Sequence, residues 1–323
     1  MLKITSFRDT HLEDAAVLVS RRFAQLREQE PLLPARYTNV SEVLPLLNNI
    51  LTTTDHGVVA LRGGRLVGFL TGWVLPSFRG QRSTISPEWA NAAELEDSQY
   101  IYEEMYSHLA ADWVADRYVA HYISIFPNDS EALRACHWMG FGMAAVDAVR
   151  SLETIPGNHK DIEVRIADLQ DLDEVMAFDE ALWKHVSETP SFLLSERKDR
   201  NHYEKWIQHT RKSVWLAYYD DEPMAFMCLG PANEDTCTII IDEKTTSIYG
   251  AFTKENMRGN GIATALLNHA LEFARAAEYE RCAVDFEPMN LAGTRFWLRH
   301  FRPVCFSLFR QIDHRLIDLE NKQ

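Results

Sequence analysis

The stretch that most constrains this chain is a strand, a glycine turn and a long helix that follow one another directly. Residues 247–253 are β-prone, residues 258–261 read Arg-Gly-Asn-Gly, and small or apolar side chains then recur at i, i+3 and i+4 from Ala263 to Ala274. Glycines let backbone N–H groups approach a ligand closely, and the start of a helix favours negative charge. The stretch therefore predicts an anion site, with a pyrophosphate as the expected ligand.

The spacing of the glycines narrows the kind of nucleotide that could bind. A Walker loop needs Gly-x4-Gly-Lys-Ser/Thr, and no such run follows a strand here. A dinucleotide fingerprint needs Gly-x-Gly-x-x-Gly, and Thr264 stands at its third glycine. Asp285 lies near the acidic position that this fingerprint expects, so a dinucleotide site is weakened but not excluded.

A third signature fits the turn better. Arg258-x-x-Gly261-x-Ala263 resembles the Gln/Arg-x-x-Gly-x-Gly/Ala motif of the GNAT superfamily of N-acetyltransferases. In that family the loop cradles the pyrophosphate of acetyl-coenzyme A. The resemblance therefore implies acetyl-CoA as co-substrate.

The sequence around the turn extends the resemblance from about residue 161 to the end of the closing strand. Patterns of apolar residues predict the order β-α-α-β-β-β-α-β-α-β, which is the order of that family. Downstream of the turn come a strand at 279–286, Asn290, and a short helix at 291–300 that carries Phe296 and Trp297. The closing strand is expected at 301–310.

By resemblance, the coenzyme contacts fall on the fourth strand, the turn and the last helix. The expected coenzyme-binding residues are Ala251, Phe252, Thr253, Arg258, Gly259, Asn260, Gly261, Ile262, Ala263, Thr264, Asn290 and Phe296. A backbone N–H of the Ala251–Thr253 stretch would stabilise the oxyanion of the acyl-transfer step.

The acid and the base of the reaction are less well marked. Many family members carry a Tyr as general acid where this chain has Trp297, and an indole N–H is not a useful acid at neutral pH. Residues 246–253 also lack the Glu that often serves as base. The candidate catalytic residues are therefore Tyr249 and Glu287, with a water relay as the alternative.

An internal repeat with an offset close to 160 residues divides the chain in two. The hairpin at 58–71 corresponds to the one at 214–229, and residues 126–141 correspond to 286–301. The sequence thus predicts an α/β protein with two tandem acetyltransferase-like domains, each a mixed, mostly antiparallel sheet flanked by helices. The expected domains are 1–153 and 162–323, with a linker at 154–161.

The two halves differ at the turn. The first half has no Arg-x-x-Gly-x-Gly/Ala, and the corresponding run 81–97 is rich in carboxylates. A carboxylate-rich loop without glycine is a poor site for a pyrophosphate. We therefore expect the N-terminal domain to have lost coenzyme binding, while 162–323 retains it.

Composition bounds the remaining possibilities. The formal net charge of −14 argues against a nucleic-acid partner. No apolar run approaches 18 residues and no signal peptide opens the chain, so we expect a cytoplasmic protein without a membrane partner. The five cysteines are scattered, as in a reduced protein, and His202 and His209 have no accompanying ligands, so no metal is expected.

Three functions remain open on the sequence. The first is an acetyl-CoA-dependent N-acetyltransferase that acts on a small-molecule amine, with a monomer favoured over a dimer. The second is a non-catalytic acyl-CoA-binding sensor or partner module, and the third is a tandem acyltransferase with another acyl donor. The loop cannot separate acyl groups, because it would bind the pyrophosphate and not the acyl chain.

Overall fold

A computed structural model of the chain describes residues 1–157, 161–188, 190–233 and 236–316. The strands are β1 (Leu2–Ser6), β2 (Gly57–Arg62), β3 (Arg65–Thr71), β4 (Trp73–Phe78), β5 (Gln81–Ser86), β6 (Asn91–Ala93), β7 (Ala120–Ile125), β8 (Gly142–Ser151), β9 (Glu163–Ile166), β10 (Ser213–Tyr219), β11 (Glu222–Pro231), β12 (Thr245–Thr253), β13 (Arg281–Phe286) and β14 (Arg302–Gln311). The α-helices are α1 (Leu12–Gln29), α2 (Val40–Thr53), α3 (Ser98–Ala115), α4 (Ser130–Trp138), α5 (Leu172–Ser187), α6 (Arg200–Gln208), α7 (Ile262–Ala276) and α8 (Leu291–His300).

The chain divides into two compact units. The first contains Met1–Asp147, Cys237–Ile239 and the described residues from Pro303 onward, and the second contains Ala148–Thr236 and Ile240–Arg302. The closing strand therefore belongs to the first unit, whereas the sequence assigned it to a domain at 162–323. The expected division at 154–161 stays a prediction.

Two groups of strands form the sheets of the first unit. One has the order β1-β2-β3-β6, and the other contains β4-β5-β7-β14. Within the second group β5 and β7 are parallel, and β14 is antiparallel to β7 with Phe306 opposite Ile125. A continuous core fills this unit, with Trp113 and Met105 of α3 fully buried.

The second unit has the strand order β8-β13-β12-β11-β10-β9, where β8 is counted from Ala148. From β9 to β12 each strand is antiparallel to its neighbour in the sheet, and β12 and β13 are parallel. Helices cover both faces because side chains alternate along each strand. Leu216 of β10 joins the cluster built with α5 and α6, while its neighbour Trp215 packs on Phe273 of α7.

These elements confirm the predicted α/β fold and the predicted order of helices and strands from β9 to β14. The predicted linker lies partly outside the described residues, at 158–160. Just before that gap, Ile155 is fixed to α7: its N–H donates to Oδ1 of Asn268 at 2.8 Å, and its carbonyl accepts from Nδ2 at 2.9 Å. No helix in the described part of the chain is long and apolar enough to cross a bilayer.

Candidate active site

The glycine turn has the backbone conformation that requires glycine. Gly259 and Gly261 both have φ of +83°, in the left-handed region that L side chains rarely adopt. A Cβ at Gly259 would meet no atom within 4 Å, so the conformation rather than crowding selects glycine there. Gly261 is also the N-cap of α7, whose first turn presents backbone N–H groups without intrahelical acceptors.

Strand β12 departs from β13 just before this turn. Their parallel pairing runs from Thr245 to Ile248, and opposite β11 the register shifts so that Tyr249 is an extra, bulged residue. Further along, the Lys254 N–H donates to the Met224 carbonyl of β11 at 3.0 Å. Because peptide groups alternate in direction along a strand, those of Ala251 and Thr253 point away from β11, into the gap between β12 and β13.

A cleft of about 810 Å³ opens at this gap, entirely within the second unit. Its walls come from α5, β11, β12, the glycine turn, α7 and α8. The lining residues are Leu182, His185, Phe226, Met227, Ala251, Phe252, Thr253, Met257, Arg258, Gly259, Gly261, Ile262, Ala263, Thr264, Leu266, Asn290, Ala292, Gly293, Arg295, Phe296, Trp297, Arg299 and His300.

The cleft is cationic although the chain carries a formal net charge of −14. Arg258, Arg295 and Arg299 line it, and the described lining residues include no Asp or Glu. Burial, with Arg150 and Arg299 nearby, lowers the pKa of His300, so this ring is neutral at pH 7. The site is therefore suited to a polyanion.

Arg258 is placed by the strand that precedes it. Its Nε donates to the Thr253 carbonyl at 3.2 Å, and one terminal nitrogen pairs with Glu255 at 3.2 Å. The guanidinium also lies over the Phe252 ring, 5.6 Å from its centroid. These contacts hold a positive charge at the rim of the cleft beside the glycine turn.

A histidine that the sequence did not mark as functional also enters the cleft. Nε2 of His185, on α5, lies 3.2 Å from Oδ1 of Asn290. That oxygen also accepts the Gly293 N–H at 3.2 Å as the cap of α8, so Nε2 carries the proton. The ring stands edge-on to Phe252 at 5.9 Å. No local pattern could have found His185, because its partner lies more than 100 residues away in the chain.

The structure brings together most of the residues that were expected to bind the coenzyme. Asn260 is in the turn but does not line the cleft; the residues that do are Ala251, Phe252, Thr253, Arg258, Gly259, Gly261, Ile262, Ala263, Thr264, Asn290 and Phe296. Their contacts with a coenzyme stay predictions.

The two candidate catalytic residues lie elsewhere. Among the described residues, neither Tyr249 nor Glu287 lines the cleft. The Tyr249 hydroxyl donates to the Pro231 carbonyl, and its ring packs against Trp206 with centroids 5.1 Å apart. Glu287 follows β13 and is half-buried. The cleft does contain Trp297, which stands where the family often has its tyrosine.

Comparisons with known proteins agree with this geometry. Residues 179–301 match the model of the acetyltransferase (GNAT) family. An uncharacterised N-acetyltransferase of Archaeoglobus fulgidus is 25% identical to this chain over 137 aligned residues. The alignment covers 42% of this chain and 89% of the relative.

Two solved structures share the fold over nearly the whole chain. A GCN5-related N-acetyltransferase from Sphaerobacter thermophilus is similar over 96% of this chain and 95% of its own, with a TM-score of 0.56 and 14% identity. A GCN5-related glucosamine N-acetyltransferase region of a fungal multi-domain GH3 β-N-acetylglucosaminidase is similar over 96% of this chain and 38% of its own, with a TM-score of 0.52 and 13% identity.

Proposed function

Because the C-terminal half of this chain belongs to the GNAT superfamily of acetyltransferases, we propose that the protein is an acetyl-CoA-dependent N-acetyltransferase of a small-molecule amine. The second unit would hold the coenzyme and carry out the transfer. The first unit would have no coenzyme of its own, since residues 81–97, which form β5, β6 and their connections, lack the glycine signature.

One observation carries this proposal: the cationic cleft meets the start of α7 at two glycines with positive φ. Coenzyme A presents a pyrophosphate and a further phosphate, all anionic. The N–H groups at the start of α7 would receive the pyrophosphate, and Arg258 would pair with it. Arg295 and Arg299 add positive charge along α8 for the remaining phosphate.

The transfer itself needs alignment more than strong acid–base chemistry. The amine nitrogen attacks the thioester carbonyl carbon, the C–N bond forms, and the C–S bond breaks as coenzyme A leaves as a thiolate. The Ala251 and Thr253 peptide groups face the cleft where the pantetheine would run parallel to β12. A backbone N–H there would stabilise the oxyanion.

The proton lost by the amine would go to an imidazole. His185 and His300 are the histidines of the described lining, and the lowered pKa of His300 keeps its ring available as a base at pH 7. The departing thiolate is stable enough to leave without a strong acid, since cysteine-like thiols have a pKa of about 8.5. Trp297 in place of a tyrosine would therefore slow the reaction without preventing it.

A second function, binding of acyl-CoA without catalysis, is favoured by two observations. Trp297 stands where the family often has a tyrosine, and neither Tyr249 nor Glu287 is among the described residues that line the cleft. A cleft that has the glycine turn, the start of α7 and Arg258 but few acid–base groups would suit a protein that binds acyl-CoA without turning it over. An acyl donor other than acetyl-CoA would fit the same loop.

Thermal denaturation with and without acetyl-CoA tests coenzyme binding first. At 100 times its dissociation constant, a ligand stabilises the native state by about 2.7 kcal/mol. We expect this stabilisation in the wild type and its loss in Gly261→Glu, because an acidic side chain enters the pyrophosphate site. Gly64→Glu is the matched control, since Gly64 also has positive φ, with no atom near its Cβ position, but lies in a hairpin of the first unit.

Release of free thiol from acetyl-CoA, measured against a panel of small amines that includes glucosamine, then separates the two functions. Turnover with any amine supports the acetyltransferase. Stabilisation without turnover favours the binding module. If acetyl-CoA raises the denaturation temperature of neither the wild type nor Gly64→Glu, the coenzyme site is absent. The acetyltransferase and the binding module would then both be wrong.

A further inference from the structure

Three side chains that can bind a metal meet in the first unit. Glu88 lies between β5 and β6, Cys237 lies beyond β11, and Cys305 is on β14. One ligand atom from each, a carboxylate oxygen and two Sγ atoms, lie within 4.8 Å of one another. Glu88 and Cys305 are buried, and Cys237 is half-buried.

The backbone around these side chains is fixed by hydrogen bonds. The Ile239 N–H donates to Oε1 of Glu88 at 3.0 Å, and the Cys237 N–H donates to Oδ1 of Asp147 at 3.0 Å. Asp147 is also buried and lies beside both thiols. The three-residue segment 237–239 is thus held at both ends by buried carboxylates.

A carboxylate at this depth needs compensation. Among the residues that the structure describes, the hydrogen bonds to Glu88 come from backbone N–H groups and the Cys237 thiol, and not from an arginine or a lysine. Burying a charge is costly unless the charge is paired or coordinates a metal.

We propose that Glu88, Cys237 and Cys305 form a binding site for a thiophilic divalent cation of the Zn²⁺ class. Two thiolates with one carboxylate are ligands that zinc accepts in tetrahedral sites. Their separation is close to that of ligands around one such ion, because Zn–S bonds are about 2.3 Å and Zn–O bonds about 2.0–2.2 Å. A water takes the fourth position. Binding releases the two thiol protons and leaves the sulfurs as thiolates.

The carboxylate favours a metal over a disulfide at this place. A disulfide between Cys237 and Cys305 would satisfy the sulfurs but would leave Glu88 buried beside an apolar bond. A divalent cation instead coordinates all three groups at once and offsets two of their three negative charges. The ion would tie β14 and the segment 237–239 to the loop that follows β5, which joins three parts of the chain that are distant in sequence.

Metal analysis of the full-length protein tests this proposal. After purification under reducing conditions, the protein is incubated with Zn²⁺, desalted and analysed by mass spectrometry for metal and protein content. We expect one Zn²⁺ per chain. Replacement by Co²⁺ should give the intense absorption of thiolate-to-cobalt charge transfer together with tetrahedral d–d bands.

Three variants identify the ligands, and one serves as control. Cys237→Ser, Cys305→Ser and Glu88→Gln should each weaken Zn²⁺ binding, in competition with a coloured chelator, by more than the roughly 10- to 100-fold that loss of an outer-shell partner costs. Cys136→Ser removes another fully buried thiol of the same unit, on α4, and should keep full binding. Circular dichroism of the metal-free variants separates loss of a ligand from loss of folding.

The measurement does not depend on acetyl-CoA, so it can fail independently of the proposed function. Substoichiometric zinc in the wild type, or equal zinc in the wild type and Cys237→Ser, would overturn the site. Intact mass analysis that finds Cys237 and Cys305 joined in the protein as purified, with no zinc bound after reduction, would identify the pair as a disulfide instead.

Discussion

At the scale of single residues, His121 on β7 is a buried base held by two neutral partners. Its side chain is fully buried, Nδ1 lies 2.8 Å from the Tyr106 hydroxyl, and Nε2 lies 3.1 Å from the Tyr118 carbonyl. Arg310 donates to the same hydroxyl at 3.1 Å, so Tyr106 donates its own proton to Nδ1. Burial, with Arg310 adding to it, lowers the pKa of His121 to about 4.

This lowered pKa makes the stability of the protein depend on pH. Between pH 6.5 and pH 4 the unfolded chain binds a proton at His121 that the native chain does not, so the free energy of unfolding falls as the pH falls. The loss amounts to on the order of 3 kcal/mol by pH 4, from the difference between the two pKa values. Urea unfolding of the wild type and of His121→Gln at pH 7 and pH 4.5 measures it. We expect a smaller fall in the variant, and an equal fall in both proteins would contradict the assignment.

The sequence indicates which residues of the glycine turn matter, because Gly259 and Gly261 stand in a pattern that is local and chemically specific. It could not indicate His185, whose position depends on the packing of α5 against the cap of α8. It also could not show that the Tyr249 hydroxyl donates a hydrogen bond to the Pro231 carbonyl. Roles that depend on where a side chain points are the ones that local patterns leave undecided.

At the scale of elements, the bulge in β12 divides this strand into two parts with different roles. Residues after the bulge line the cleft, whereas the bulged residue itself stabilises the sheet. Tyr249 is the extra residue opposite β11, and its hydroxyl bonds within the sheet. We expect Tyr249→Phe to lower the free energy of unfolding by about 1 kcal/mol, the usual value of one hydrogen bond. Acetyl transfer should stay within a few-fold of the wild type.

Steady-state kinetics with the best amine of the panel, together with urea unfolding, checks both values. Tyr219→Phe, at the more exposed end of β10, is the control for removal of a strand hydroxyl. A loss of roughly 100-fold or more in kcat for Tyr249→Phe, the usual cost of removing an acid–base group, would show that Tyr249 acts in catalysis after all.

Most elements could be predicted from periodicity, because helices and strands impose their own spacing on apolar residues. The hairpin of β10 and β11 and the helix at 291–300 appear where the pattern placed them. The bulge at Tyr249 could not be predicted in this way, since it depends on the register of β12 against β11. The cleft therefore opens because of how β12 pairs with β11 and β13, and the sequence of one strand alone does not specify that pairing.

At the scale of the whole molecule, the closing strand β14 belongs to the first unit. It pairs with β7 from Phe306 to Gln311, Ser307 bonds Ser124 at 2.9 Å, and the ring of Phe309 lies 4.8 Å from that of Tyr122. We expect a chain that ends at Arg302 to lose hydrogen-exchange protection at Ala120–Ile125 more than at the strands around the cleft. The reason is that the neighbouring strand supplies the partners of the β7 amides.

Hydrogen exchange followed by mass spectrometry measures this difference. A chain that ends at Leu316 keeps β14 and serves as the control. Protection that is lost first in β12 and β13 would contradict the prediction. The alternating residues of 301–310 predict a strand, but alternation does not specify a partner. That is why the sequence placed this strand with its neighbours in the chain and not with β7.

The position of β14 has a consequence for how the protein is made. A ribosome that has finished Asp147 must still synthesise residues 148–302 before the strand that pairs with β7 exists. At about 5–20 residues per second, that interval lasts on the order of ten seconds or more. Throughout that interval one edge of β7 has no partner strand, and the first unit can finish folding only after β14 has left the exit tunnel.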